Sequence, residues 1–250
     1  MGKADLHIHT SAGDGVDDIA RILAHVEENT DLDVIAITEH DNLSVAMAAR
    51  EAWARGRFRF EVIPGAEITT LQGHLIALFL EEPIESLRPV EETIDAVHRQ
   101  GGVCFVPHPL SWWTRSINER VFQRVRRLRD RGLWFDGIEL ANETPAARRF
   151  RARARELNDK ELHLPAIGAS DAHFVQAIGS AFTRFEGSSA ADLKRAFARG
   201  SLHGVGTRYP SVREVGAMRM LTVPMKGLGA TPRALGWRRT VWSFARRYWT

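Results

Sequence analysis

The sequence predicts an α/β fold, a barrel or wound sheet of strands alternating with helices. Over the first 205 residues short apolar runs rich in Val, Ile, Leu and Phe alternate with longer segments of helical spacing, at roughly the period of a βα unit. Gly56, Gly101-Gly102, Gly132 and Gly200 each follow a helical pattern where a left-handed cap would sit. The 250 residues, 44% apolar and 26% charged, are enough to bury a sizeable core, which excludes disordered, collagen-like and disulfide-scaffold classes.

Taken in order, the apolar runs place strands at Ala4 to Ile8, Asp33 to Thr38, Phe60 to Pro64, His74 to Leu80, Val103 to Val106, Asp136 to Leu140 and Pro165 to Ala169. Helical spacing fills the intervals at Val16 to Glu28, Ser44 to Arg55, Pro89 to Gln100, Asn118 to Arg131, Pro145 to Asn158 and Ala190 to Arg199. From Gly206 the character changes to irregular Gly/Pro/Met-rich sequence, read as an appendage to a domain spanning 1–205. Its last residues put Trp237, Val241, Phe244 and Tyr248 on one helical face, flanked by Arg238, Arg239, Arg246 and Arg247. Such a basic amphipathic face docks on the parent domain or a twin subunit, or meets an anionic membrane surface or nucleic acid.

The net charge of +3 hides an asymmetry, since residues 206–250 hold nine Lys/Arg against one acid, Glu214, while the body holds 25 against 30. Twelve arginines between Arg115 and Arg155 either solvate two helices or, where they face a cleft, suit an anionic ligand. The single cysteine, Cys104, excludes an internal disulfide and leaves any metal site to other residue types, which makes a cytoplasmic location the expectation. The Met-Gly-Lys opening lacks an apolar signal region, and no apolar run reaches the roughly 20 residues of a spanning helix, so neither secretion by that route nor a transmembrane segment is expected.

Chemistry concentrates at strand ends. Asp5-Leu6-His7-Ile8-His9 points two imidazoles to one side of the first strand, where they can grip one metal ion. Similar groups recur: Thr38-Glu39-His40-Asp41, Gly65-Ala66-Glu67, Gly73-His74, Pro107-His108-Pro109 and Ser170-Asp171-Ala172-His173. In an α/β barrel the C-terminal strand ends share one face, so all but His74, which precedes its strand, should converge there. His74 is read either as a ligand or as a supporting residue. Asp14, in Ser11-Ala12-Gly13-Asp14-Gly15, is either a ligand or a helix cap. Together Asp5, His7, His9, Asp14, His40, Glu67, His74, His108, Asp171 and His173 exceed what one tetrahedral ion uses, implying two or three Zn, Mn or Fe ions. His25, His98, His163 and His203 are read as lying outside the site.

Four of these strings in order, Asp5-Leu6-His7-Ile8-His9, Thr38-Glu39-His40-Asp41, Pro107-His108-Pro109 and Ser170-Asp171-Ala172-His173, resemble the motifs of the polymerase-and-histidinol-phosphatase (PHP) family of metal-dependent phosphoesterases, over about residues 3 to 205, with Glu67 in the position of the metal-bridging carboxylate. The resemblance implies a distorted seven-stranded (β/α) barrel. It assigns His7, His9, Glu67 and Asp171 to one ion, Glu67 and His108 with a neighbouring histidine, here His74, to a second, and Asp14, His40 and His173 to a third. Glu39 stands where the family usually carries Asp, at a supporting position. It further implies hydrolysis of a phosphate ester by metal-activated water, with Glu67 and Asp171 fixing the metals and His173 completing the site. Asp5 is expected to orient a ligating histidine, and Arg115, next in sequence to the His108 loop, to clamp phosphate. The expected substrate is a phosphorylated small molecule or nucleotide. The alternatives are a phosphodiesterase or exonuclease on short nucleic acids, using Trp112-Trp113 or the basic tail, and a non-catalytic metal-binding regulatory module.

Overall fold

The computed structural model describes residues 1–227, so the tail face from Trp237 to Tyr248 lies outside the described residues. All seven anticipated strands form: β1 (Gly2–Ile8), β2 (Val34–Ile37), β3 (Glu61–Thr69), β4 (His74–Leu78), β5 (Val103–Val106), β6 (Gly137–Ala141) and β7 (Ala166–Gly168). Two more follow, β8 (Ala181–Phe185) and β9 (His203–Gly206), so the described sheet has nine strands rather than seven, in the order β7-β6-β5-β4-β3-β2-β1-β8-β9.

The sheet nearly closes on itself. The Thr183 hydroxyl of β8 donates to the Gly168 carbonyl at 2.8 Å and accepts the Gly168 N–H at 3.0 Å. Glycine is required at this seam, because a Cβ on Gly168 would stand 2.2 Å from the Phe182 carbonyl oxygen and one on Gly204 would stand 2.6 Å from that of Ile167. At the other end of β1 the His9 N–H reaches the Ala172 carbonyl at 2.8 Å, and the Ala172 N–H reaches that of His7 at 3.1 Å.

A uniformly parallel (β/α) succession does not hold. β4 runs antiparallel to both β3 and β5, pairing Thr69 with His74 across a tight turn in which the Thr70 hydroxyl bonds the Gly73 carbonyl. No helix intervenes, so the start of β4 lies at the same end of the sheet as the finish of its neighbours β3 and β5. β8 is likewise antiparallel to β1 and β9.

The helices are α1 (Ile19–Asn29), α2 (Leu43–Arg55), α3 (Val90–Arg99), α4 (Glu119–Arg126), α5 (Pro145–Arg148), α6 (Arg151–Leu157), α7 (Ala190–Arg199), α8 (Val212–Val215) and α9 (Ala217–Gly227). Asp18 caps α1 by accepting the Arg21 N–H at 2.8 Å, which leaves Asp14 with no capping task there. Gly101, Gly132 and Gly200 take the left-handed conformation expected of helix stops, whereas Gly56 is extended. The fourth helix ends at Arg126, short of its expected Arg131, and the fifth is broken near Arg149 into α5 and α6. The segment after Gly206 is not irregular throughout, for it carries α8 and α9, which place Val215, Met220 and Val223 against the core.

Alternate residues feed two apolar layers, as strand periodicity demands. Ile35 and Ile37 pack with Ile22, Val26 and Ala46 of the surrounding helices, while Val34 and Ala36 pack with Leu6, Ile76, Phe105 and Phe197. This rigid frame fixes the strand ends that carry the polar residues.

Candidate metal centre

Nine residues from seven stretches of chain point their polar ends at one another at the end of the sheet where β1, β2 and β5 finish. His7 and His9, two apart on β1, bring their Nε2 atoms to 3.1 Å of each other. Glu67 Oε2 lies 3.2 Å from the first and 3.3 Å from the second, and Asp171 Oδ1 lies 3.5 and 3.6 Å from them. Ligands about 2.1 Å from a tetrahedral ion stand about 3.4 Å apart, so these four atoms are spaced as the corners of one coordination shell. Two imidazole Nε2 atoms face to face are a poor hydrogen-bonded pair and a good pair of metal donors.

Glu67 serves a second group through its other oxygen. Oε1 is 3.2 Å from His108 Nε2 and 2.7 Å from His74 Nδ1, and His40 Nδ1 lies 3.4 Å from Oε2. His74 arrives because β4 is antiparallel, which removes the objection that it precedes its strand. A third group gathers on Asp14, whose Oδ2 is 3.2 Å from His173 Nε2 and 3.4 Å from His40 Nε2 and whose Oδ1 is 3.4 Å from His9 Nδ1. Several triads of these residues hold donor atoms within 4.8 Å of one another.

The electrostatics fit cations. Burial alone would raise the Glu67 carboxyl, but His40, His74 and His7 overcome it and hold it well below the usual range. Asp171 and Asp14 are lowered in the same way, against burial, by His7 and His173 respectively among others. Burial works against the charge on His40, and Glu67 and Asp14 reverse that to push it up to about 9, whereas burial dominates at His74 and brings it down to about 4. Both ring nitrogens of His74, His40 Nδ1 and Asp14 Oδ1 are buried without a well-directed hydrogen bond, an arrangement that divalent ions would satisfy.

Residues 149–202 match the PHP-associated family. An uncharacterised protein of Methanocaldococcus jannaschii is 33% identical over 151 residues, covering 56% of this chain and 81% of its own length. The chain belongs to the PHP family. A two-domain protein from Bacteroides vulgatus, containing a predicted PHP-like metal-dependent phosphoesterase, superposes with a TM-score of 0.64 at 22% identity, over 82% of this chain and 64% of that one. The 5'-3' exoribonuclease Rnm of Salmonella typhimurium is 35% identical over 81 residues, 31% of this chain, which thereby spans about a quarter (27%) of the enzyme's length.

In this PHP chain the residues around the donors differ in part from expectation. Asp5 does not orient a histidine. Its oxygens accept the Ser170 N–H at 2.9 Å and the Gly179 N–H at 2.8 Å, because β1 turns it toward the segment after β7 instead of toward the ring of His7. It thereby holds the turn carrying Asp171, a left-handed residue at φ 53°. Burial raises Asp5 to about 6.

The carboxylate behind His7 is Glu139, on β6. Its Oε1 lies 3.1 Å from His7 Nδ1, and its Oε2 accepts the His108 N–H at 2.6 Å and an Asn142 amide proton at 2.8 Å. The Glu139 bond helps hold His108 at φ 33°, a conformation that costs a non-glycine residue. One acid inside the apolar run Gly-Ile-Glu-Leu-Ala was the signal that could have found it. Glu39 supports His9 similarly, taking the Thr10 N–H at 3.0 Å and hydroxyl at 2.7 Å, with His9 Nδ1 at 3.4 Å. Arg115 sits on the loop above His108, left-handed at φ 51°, and its carbonyl accepts the His74 N–H at 2.8 Å. His98 and His203 lie apart from the cluster, His98 bonded to Asp136 at 2.9 Å and His203 exposed on β9.

Proposed function

We propose that this chain is a metal-dependent phosphoesterase that hydrolyses a phosphomonoester of a small molecule or nucleotide. The observation that carries the reading is the four-atom shell of His7, His9, Glu67 and Asp171 at coordination spacing. Two or three divalent ions, Zn, Mn or Fe, would be held there: one by that shell, one by Glu67 with His74 and His108, one by Asp14 with His40 and His173. Such ions supply hydroxide at neutral pH by lowering the pKa of water from about 16 toward about 7 and neutralise charge on phosphoryl oxygens.

The protein's residues do the rest. Glu67 offers one oxygen to each of two neighbouring groups and so fixes their separation. Glu139 and Glu39, each against the Nδ1 of a histidine whose Nε2 faces the shell, set ring orientation and keep Nε2 as the donor. Asp5 holds the Asp171 turn. Arg115, tied through its backbone to His74, is a candidate to clamp phosphate. Domain 1–205 forms the site, and the described part of the extension packs on it.

A second reading, a phosphodiesterase or exonuclease on short nucleic acids, is favoured by one feature. Trp112 and Trp113 are 71% and 52% exposed, and the next residue, Thr114, places its hydroxyl 2.9 Å from His108 Nδ1. Arg149 lies over the Trp113 ring at 5.6 Å, so the rim offers a surface on which bases could stack.

The test is metal analysis together with hydrolysis of an aryl phosphate and a bis-aryl phosphate after Mn, Zn or Fe loading. The expected result is two or three ions per chain and monoester turnover that His7→Ala and Asp171→Ala abolish. Preferred turnover of oligonucleotides, weakening as salt rises, would instead support the second reading. One ion or fewer with no turnover under any loading would reject both.

A further inference from the structure

The segment read from sequence as an appendage reaches the candidate centre. Arg219, early in α9, pairs with the buried Asp17, which also accepts the Val175 N–H at 2.9 Å and faces Arg21 Nε at 3.0 Å. Two helical turns later, about 10 Å along the axis, the Lys226 ammonium donates to the Gly15 carbonyl at 2.6 Å. At its last described residue the helix lies against the third group, since a methyl group on Gly227 would stand 3.3 Å from Asp14 Oδ2. Upstream, Tyr209 packs edge-on to Phe174 with ring centres 5.8 Å apart. The described part of the extension therefore walls the side of the centre that carries Asp14.

We propose that Lys226 is a specificity-determining residue that selects a terminal phosphate. The proposal rests on the phosphoesterase reading and adds to it a residue outside the four motifs. A terminal phosphoryl group carries up to two negative charges and three unesterified oxygens, an internal diester one charge and two. An ammonium group one residue along from Asp14 therefore favours the terminal group. The close approach of Gly227 to Asp14 acts in the same direction, because a substrate continuing on both sides of phosphorus must avoid it. Arg219 is the positioning residue, holding α9 along the loop.

The experiment uses the full chain loaded with metal, in the wild type, Lys226→Ala and Lys226→Arg. Affinity for inorganic phosphate is measured by calorimetry, bound metal per chain by elemental analysis, and kcat/KM with the aryl phosphate and bis-aryl phosphate. Lys226→Ala is expected to weaken phosphate binding and monoester kcat/KM by about tenfold or more, one charge-assisted hydrogen bond. The diester should change by less than about twofold with metal content unchanged, and Lys226→Arg should recover most of the loss. Unchanged phosphate affinity would overturn the proposal, as would an equal fall for both esters accompanied by loss of metal, which would make Lys226 a strut for the Asp14 loop. Phosphate binding is read without turnover, so a chain that binds phosphate through Lys226 and hydrolyses neither ester would sink the hydrolase reading separately.

Discussion

The two ends of the barrel each set histidine against carboxylate, and they do so differently. At the end where β5 begins, His98 Nε2 meets Asp136 Oδ2 at 2.9 Å, the Cys104 N–H donates to the same oxygen at 2.7 Å, and the Trp134 indole donates to the other at 2.8 Å. One imidazole answers one carboxylate, and only His98 Nδ1 lacks a partner. At the opposite end six histidines crowd three carboxylates, Nε2 faces Nε2, and four buried ring or carboxylate atoms make no well-directed hydrogen bond. Paired polar groups hold a structure together, whereas like donors facing one another wait for a cation.

Substitution should separate the ends most sharply. His7→Ala or Asp171→Ala is expected to cost on the order of 10³-fold in turnover and to remove bound metal, while the chain stays folded by its far-UV dichroism. His98→Ala should leave turnover and metal content within about threefold and lower stability by about 1–3 kcal/mol in urea titrations. A loss of metal in His98→Ala would erase the distinction between the ends. Next in size is Glu139→Gln, expected to weaken metal affinity by about 10- to 100-fold, with much of the turnover restored at saturating metal. A defect that excess metal does not repair would make Glu139 more than a support for His7.

The sequence made the site more legible than its frame. His7, His9, His40, Glu67, His108, Asp171 and His173 could be read because metal donors at strand ends form short, chemically distinctive strings. Glu139 escaped because a single acid in an apolar strand has no such neighbour, and its meaning comes from His7, 132 residues away. Asp5 misled because its place in the string says nothing about the Ser170 and Gly179 amides that fold back onto it. The seven strands were visible from apolar runs, but the direction of β4 was not, since a strand reads alike both ways. Its sense is set by the Thr70–Gly73 turn. β8 and β9 were not read, and β9 contains Gly204, whose value lies in the close approach of β7.

Metal removal offers a smaller, thermodynamic contrast. An ion that binds only the folded chain adds about 2.7 kcal/mol at a hundredfold excess over its Kd. For a domain near this size that corresponds to about 2–4 °C in Tm per kcal/mol. Chelation should therefore lower Tm by several degrees in the wild type and in His98→Ala alike, but hardly at all in His7→Ala. Equal shifts in all three would place the stabilising ion outside the cluster.

The smallest effect expected concerns a carboxylate whose partners are all of the protein's own making. Asp192 closes the capping box of α7: its Oδ2 accepts the Ser188 and Ser189 N–H groups at 3.1 Å each and the Ser189 hydroxyl at 2.7 Å. The Ser189 bonds come first among the causes that hold it down to about 2, from an ordinary 3.8. A carboxyl lowered on folding contributes stability that is fully present above its unfolded value and is lost as pH falls toward its folded one. Asp192→Asn should therefore melt below the wild type from pH 7 down to about 4, with the gap narrowing from about pH 4 toward 2. A gap that stayed constant with pH would mean that the shape of the cap, not its charge, stabilises α7. The lowered carboxylates of the other end differ in kind, since Glu67 and Asp171 are held down by histidines that a bound ion would displace as proton carriers. Chelator should leave the pH dependence of the Asp192 gap unchanged, because nothing in that box competes with metal.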